Sequence, residues 1–420
     1  MATEINLDVA RDSTMKEQVA QTEQMVSEMQ KTNAFLAAIA QSNITALTSD
    51  WKGFARLAGK GAAESIFAPG DQIMIEWKDI VADKAYTVPL DILHFGTAEL
   101  ENGQIVQGAY VGWHYLTPFG VQFDNYEAFY VAETEELPAG TYSVTIGTNW
   151  GNNCVKGTVY NFTLTKPVPV GGQLAGFEKI PDVQASALKV SSYASNSATE
   201  PIETVSVSVG EAGTSLGTLE AAGNEQLNSL HRVGYGYNRY GQSAMVQWLN
   251  SNKGAGEWWT PQNKYDRPPA ELKTKAGFLT GLSEDTLSVI QKIKVTTLLN
   301  TVIPADREQG QDVTYNKVFL ASLEQMFIKP EAPGEGEPFA YWKQVSGQAT
   351  PMERHKTYPN MIHYAVENHN SAQDIRLRSA YQGNSNHTWF VIASGKFNGS
   401  SSTWSRRCAP VWFVSLIPQS

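Results

Sequence analysis

Trp389-Phe390-Val391-Ile392-Ala393 sits inside a stretch, Tyr381 to Arg407, composed unlike the rest of the chain: six serines, three asparagines, three glycines, two threonines and five aromatics. Strand alternation puts Trp389 and Val391 on one face, Phe390 and Ile392 on the other. With one face in a core, the other presents large apolar groups to solvent beside small polar ones. Rigid aromatics among adaptable Ser, Gly and Asn are the chemistry of binding surfaces. An ordinary hairpin with a serine-rich turn fits the same composition. No acid occurs from Tyr381 to the C-terminus, while Lys396, Arg406 and Arg407 are positive, so the 380 residues before it carry −13 of a chain whose total is −10. Val411-Trp412-Phe413-Val414-Ser415-Leu416-Ile417 then reads as a buried closing strand.

Working outward, 420 residues suggest about three domains. Hydrophobic content of 42% supports sizeable cores, and charged residues at 18% leave a mostly neutral polar surface. Net negative charge argues against a general nucleic-acid binder. Two cysteines, Cys154 and Cys408, cannot form a disulfide scaffold. The first thirty residues show no apolar signal region, and Phe35 to Ala40 is the longest apolar run, so neither export nor membrane insertion is expected.

At the N-terminus, Met15, Val19, Thr22, Val26, Met29, Asn33, Leu36, Ala40, Asn43 and Leu47 recur at alternating spacings of four and three, without proline or glycine. That pattern predicts a long amphipathic helix of roughly 50 Å over 15–47. A broad apolar stripe suits a self-associating or docking helix, a trimer rather than a dimer, although a helix packed on its own domain fits too. From about residue 65 the period changes to strands. Gln72 to Trp77, Ala128 to Val131, Thr141 to Ile146 and Tyr160 to Thr165 alternate with turn pairs such as Asn102-Gly103, which predicts a small antiparallel β domain over 65–170. Lys166 to Gly172, with two prolines and two glycines, reads as its boundary. Beyond residue 173 the reading is mixed. Gln242–Asn250 looks like a helix burying Met245, Trp248 and Leu249. Ser283 is a candidate N-cap with a Leu282–Leu287 staple, and Ser322 with Gln325 is a candidate capping box opening a further helix.

An ordered series carries a resemblance. Gly234-Tyr235-Gly236-Tyr237-Asn238-Arg239-Tyr240, Gln247-Trp248-Leu249-Asn250-Ser251, Trp258-Trp259-Thr260-Pro261 and Tyr265-Asp266-Arg267-Pro268-Pro269 are followed by Gly277-Phe278-Leu279, Phe319-Leu320-Ala321-Ser322-Leu323, Arg376-Leu377-Arg378-Ser379-Ala380 and Arg407-Cys408-Ala409-Pro410. Over residues 175–420 this set resembles the C-type-lectin-fold variable proteins of diversity-generating retroelements, of the formylglycine-generating-enzyme subtype, carried by phages and prophages. The Gly147-Thr148-Asn149-Trp150-Gly151 turn resembles the accompanying region of gut-phage members. The resemblance implies that the stretch ending at Arg407 is rewritten by adenine-directed mutagenesis and forms a ligand-binding face on an unchanging scaffold. The implied contact positions are Asn384, Asn386, His387, Phe390, Ile392, Lys396, Asn398, Ser400, Ser401, Thr403, Trp404 and Arg406.

Other chemistry is weaker. Gly213-Thr214-Ser215-Leu216-Gly217 matches a nucleophile elbow, but small polar residues follow where a helix is required. A cysteine-pair oxidase would need a partner for Cys408 in its own domain, and a small buried Cys408 is the simpler reading. His363, Glu367 and His369 do not have zinc spacing, and no metal or cofactor is expected. Trp248, Trp258 and Trp259 read as core.

The fold class expected is therefore α+β: a docking helix within 1–60, a small β domain at 65–170, and a C-type-lectin-like domain at 173–420. The expected function is non-catalytic recognition by a phage virion adhesin, on a tail fibre or head decoration. It would be made in the bacterial cytoplasm and carried on the virion. Partners would be a bacterial surface protein or glycan, further copies of the chain, and other virion proteins through the helix. Lys396 and Arg406 would favour an acidic ligand. A purely structural virion protein and an enzyme are the alternatives.

Overall fold

The computed structural model describes residues 15–26, 29, 51–126, 128–132, 134–147, 155–175, 189–193, 201–221, 232–233, 236–263 and 265–416. Gln72–Asp79 buries every second residue, with Ile73, Ile75 and Trp77 inward, and is a strand for that reason. It turns through Asp79, whose carboxylate accepts the Val81 and Ala82 N–H groups, into the long strand Lys84–Glu99, which pairs with Ile105–Trp113. The closing strand Val411–Val414 is fully buried and lies antiparallel to residues 109–112. On its other side it takes Ile290–Gln291 and Val318–Phe319. Gly108 permits this closure, because a Cβ there would lie 2.3 Å from the Phe413 ring.

Under this sheet is an aromatic core. Trp77 stacks on Phe278 at 5.6 Å, and Trp113, Trp248 and Trp412 surround the same ring. The indole N–H groups of Trp77, Trp248 and Trp258 donate to the Phe278, Ala276 and Lys275 carbonyls, which removes the cost of burying them. Trp248, Trp258 and Trp259 are core residues, as read from the sequence.

The β segment expected as one unit over 65–170 is divided between two cores. Residues up to Phe123 pack with Tyr240 through Val414. A separate core gathers Leu137, Val144, Ile146, Phe162, Leu174, Val190 and Leu219, built on Gly140–Ile146 paired with Val159–Leu164 and with Thr214–Ala221, and on the sheet of Ala128–Val131, Gln173–Ala175, Lys189–Tyr193 and Pro201–Ser206. The chain leaves the first body at Asn125 and re-enters it alongside: Asp124 accepts the Tyr237 N–H at 2.8 Å, and a Cβ on Gly236 would stand 3.0 Å from the Asn125 carbonyl. The second unit is thus inserted within the first. The Pro-Gly stretch 166–172 is a turn inside the insert, where the Leu137 and Val168 main chains exchange hydrogen bonds.

The α+β expectation with a long N-terminal helix is corrected. The protein is mostly β, with six short helices among the described residues. Among the described residues, helix is found over 15–26 and again at Met29. Met15, Val19, Met25 and Val26 on it are exposed, so nothing among the described residues packs against its apolar stripe, and a coiled coil is not supported. Residues 30–50, the remainder of the expected helix, lie outside the described residues, as does most of the 147–151 turn. The packed helix lies later, at Trp51–Gly59, anchored by Trp51, Phe54, Ala55 and Ala58. Ala244–Leu249 and Glu284–Val289 are capped by Ser243 and Ser283, whose hydroxyls accept the Val246 and Thr286 N–H groups. The Ser322–Gln325 box closes both of its reciprocal bonds, yet opens no helix: Phe327 takes φ 56° and ends it after one turn.

Candidate functional site

The stretch singled out by composition folds with the strand before it into a three-stranded sheet: Ile375–Ala380, His387–Val391 and Phe397–Ser401. The register sets Arg376 beside Phe390 and Phe390 beside Asn398, with Thr388 beside Ser400. Alternation therefore puts Arg376, Thr388, Phe390, Asn398 and Ser400 on one face. The opposite face sends Trp389, Val391 and Phe397 into the main core. Trp389 stacks on Tyr381 at 5.0 Å and donates its indole N–H to Glu331.

Phe390 points away from that core, as the alternation predicts, but does not reach solvent; it is 5% exposed. The chain returns after Thr403 and lays the Arg406 guanidinium over the Phe390 ring at 4.6 Å, with Trp404 against the same cation at 5.0 Å. Trp404 is the outermost layer, 55% exposed. Arg406 also forms an ion pair with Asp374. Of the twelve expected contact positions, Lys396, Asn398 and Trp404 are exposed, and Asn384, His387, Ile392, Ser401 and Arg406 are half-buried. Asn386, Phe390, Ser400 and Thr403 are buried, which corrects the expectation that all twelve face outward. Nor do they form one cluster. Ile392 and Lys396 belong to the tight turn after His387–Val391, where the Ile392 N–H donates to the Lys396 carbonyl. Asn384, Asn386 and His387 lie at the other end of that strand, and Phe390, Asn398, Ser400, Trp404 and Arg406 share the middle.

The frame holds this stretch by its main chain. Asn238, wholly buried, donates its amide to the carbonyls of Asn384 at 2.6 Å and His387 at 2.8 Å, and its N–H to the Ser385 carbonyl. Arg376, 1% exposed, donates to the carbonyls of Ser400, Ser401 and Trp404 and to the Thr388 hydroxyl. Gln122 donates to the Thr403 carbonyl at 2.7 Å, and the Phe123 and Asp124 N–H groups donate to that of Ser402. Asn238 is itself fixed by Asn300, whose amide donates to it and to the buried Asp306 carboxylate, which also accepts the Tyr237 hydroxyl. Tyr237, Asn238 and Arg376 were visible as members of quoted motifs. Their common task was not, since nothing local in a sequence says which carbonyls an amide will meet. Asp374 and Gln122 carried no signal at all.

Charge on the face is largely cancelled. Arg406 is matched by Asp374, and Arg407 pairs with Glu367 at 2.8 Å while donating to the Thr117 carbonyl. Burial lowers the Arg376 and His387 pKa values, so His387 is neutral near pH 7. The acidic-ligand preference expected from Lys396 and Arg406 therefore rests on Lys396.

A family model matches residues 218–413. It describes a domain of unknown function, DUF6273. The match takes in the three-stranded sheet, the Asn238 and Arg376 anchors and the closing strand up to Phe413, together with the last strands of the insert. None of the curated proteins matches the chain, and none of the solved structures does.

The other chemical readings fare as follows. Ser215 lies inside the strand Thr214–Ala221, its hydroxyl accepting the Gly217 N–H, and no strand-to-helix turn strains it as an elbow requires. Cys408 is 1% exposed, and burial pushes its thiol up to about 12, so it is neutral and packed. Cys154 lies outside the described residues. His363 is buried against the Met361 carbonyl, His369 stacks on Tyr115 at 3.9 Å, and Glu367 is taken by Arg407. Among the described residues no group of three or more His, Cys, Asp or Glu side chains could hold a metal ion.

Proposed function

We propose that this protein is a non-catalytic recognition protein whose contact surface is the outer face of the sheet built from residues 375–401, with Trp404 and Arg406 laid across it. The observation that supports this most is the manner of holding: the frame grips the stretch 381–407 through main-chain carbonyls, which every residue type supplies. Side chains at Lys396, Asn398 and Trp404 can then change while the backbone beneath them stays in place, whereas Asn384 and Ser401 accept the Asn386 and Thr403 N–H groups through their own side chains. Such an arrangement suits a surface selected for variety. With the sequence resemblance to variable proteins of diversity-generating retroelements, it supports a phage adhesin that touches a protein or glycan on a bacterial surface. Exposed Trp404 is the natural anchor, because a large rigid aromatic ring carries a disproportionate share of interface energy. Self-association and docking to other virion proteins would fall to the N-terminal segment, where Met15, Val19, Met25, Val26 and Met29 are exposed.

Sequencing the same locus from several isolates tests the proposal. Substitutions should concentrate at adenine-bearing codons of the outward positions and spare Asn238, Arg376 and Gln122. A near-duplicate of the last forty codons should lie in the flanking DNA. Substitutions spread evenly over the chain would sink the adhesin reading in favour of a structural virion role.

A further inference from the structure

A second concavity lies apart from that face. A cleft of about 570 Å³ opens between the strand Lys84–Glu99, the strand Ile293–Leu298 and the loop 334–337, with the half-buried Tyr110 as its aromatic wall, backed at 5.0 Å by the buried Phe339. That volume is in the range of small-molecule sites. The loop is pinned before any ligand arrives. Glu324 accepts the Gly334 and Glu335 N–H groups, and the buried Glu335 carboxyl takes the Leu298 N–H and the Ser379 hydroxyl.

Three polar groups converge on the cleft without hydrogen-bond or ion-pair partners among the described residues. The first is the NH₂ end of the Gln325 amide. Arg378 donates to its oxygen at 2.5 Å and the Ser322 N–H donates to it at 3.2 Å, so its NH₂ end is turned toward Gly336, where a Cβ would lie 3.0 Å from Nε2. Gly336 has φ +122° and leaves that approach open. The second is His94, flanked by Tyr110 and Phe339; burial lowers its pKa, so near pH 7 the imidazole is neutral, with one donor and one acceptor nitrogen. The third is the exposed Glu337 carboxylate at the rim.

The cations of the cleft are already committed. Lys294 pairs with Glu99 at 2.9 Å, and Arg378 spends its N–H groups on the Leu320, Thr296 and Glu335 carbonyls besides Gln325. Phosphate or carboxylate would find no free positive group among the lining residues and would meet the Glu337 carboxylate; Lys343 acts electrostatically on His94 but is not part of the lining. An organic cation would find Glu337 but leave the Gln325 donor unmatched. Hydroxyl groups both donate and accept, and a pyranose ring offers a C–H face to an aromatic wall. We propose that this cleft binds a neutral saccharide, its hydroxyls meeting Gln325, His94 and Glu337 and its apolar face lying on the half-buried Tyr110 ring. The site uses none of the twelve positions of the outer face and stands independently of the reading given for that face.

Saturation-transfer NMR on the full chain tests it, with glucose, galactose, mannose and N-acetylglucosamine as probes and with choline and methyl phosphate for contrast. At least one sugar should receive saturation, binding should weaken at least tenfold in Glu337→Gln and in Gln325→Met, and Trp404→Ala should leave it unchanged. Glu337 is exposed, so its variant carries the test even if Gln325→Met fails to fold. No transfer to any of the four sugars would overturn the proposal, as would transfer unaffected by Glu337→Gln. Transfer lost in Trp404→Ala would assign sugar binding to the outer face instead, and transfer confined to choline or methyl phosphate would overturn the ligand class.

Discussion

Asn238 decides more about the candidate surface than any residue on it. With three carbonyls of the 381–387 turn in reach of its amide, Asn238→Ala should cost about 1–3 kcal/mol, measured by urea unfolding, because those acceptors lose a buried donor. Trp404→Ala, by contrast, removes a side chain that is 55% exposed and should change stability by no more than about 0.5 kcal/mol. His363 makes a pH-dependent contribution. Burial lowers its pKa from 6.5 to about 4, so the unfolded chain takes up a proton that the folded one refuses. Stability is therefore full above pH 6.5 and falls toward pH 4, by about 2 kcal/mol on reaching pH 5. His114, raised by its hydrogen bond to Asp91, acts in the other sense and only above its ordinary 6.5, so the two windows do not overlap. Urea midpoints at pH 7 and pH 5 should differ in the parent protein and differ by less in His363→Gln, where His94 and His387, also lowered by burial, still act in the same sense. The residue-level reading of the sequence found the exposed tryptophan and the motif that contains Asn238. It missed that Arg406 would cover Phe390, because that contact depends on where the chain goes after the strand ends.

The hairpin His387–Val391/Phe397–Ser401 illustrates what alternation can and cannot give. Period two correctly separates Trp389 and Val391 from Phe390, and the structure shows the first two to be on the core side. It is silent on whether the other side is solvent or another part of the same chain. Capping motifs show the same limit: Ser243 and Ser283 open real helices, whereas the Ser322–Gln325 box makes its two bonds and stops at Phe327. Local hydrogen bonds start a turn, and tertiary packing decides whether it continues. The apolar stripe from Met15 has no such packing over the residues described. Within the sheet, the backbone anchors predict an asymmetry. Arg376→Ala removes donors from three carbonyls and leaves a void at a fully buried site, and should destabilise by about 3 kcal/mol or more in chemical denaturation. Asn398→Ala, at an exposed position of the edge strand Phe397–Ser401, should be close to neutral.

At the scale of the molecule, the strands, the tryptophan core and the closing strand were legible, because each follows from local pattern. The pairing of Val411–Val414 with residues 109–112, roughly three hundred positions earlier, was not. That pairing makes the outer body continuous around an insert, where the sequence suggested a boundary at residue 170. The adjacency of Asp124 and Tyr237 predicts that replacing residues 127–235 by a short Gly-Ser linker leaves a body that still unfolds cooperatively in calorimetry; loss of the transition would show that the insert supports the first core. The central claim is that the frame fixes the backbone of 381–407 whatever side chains it carries. Simultaneous replacement of Lys396, Asn398 and Trp404 by unrelated residues, followed by urea unfolding, tests it most directly. The account predicts a cooperative transition within about 1 kcal/mol of the parent, and a broad or absent transition would contradict it.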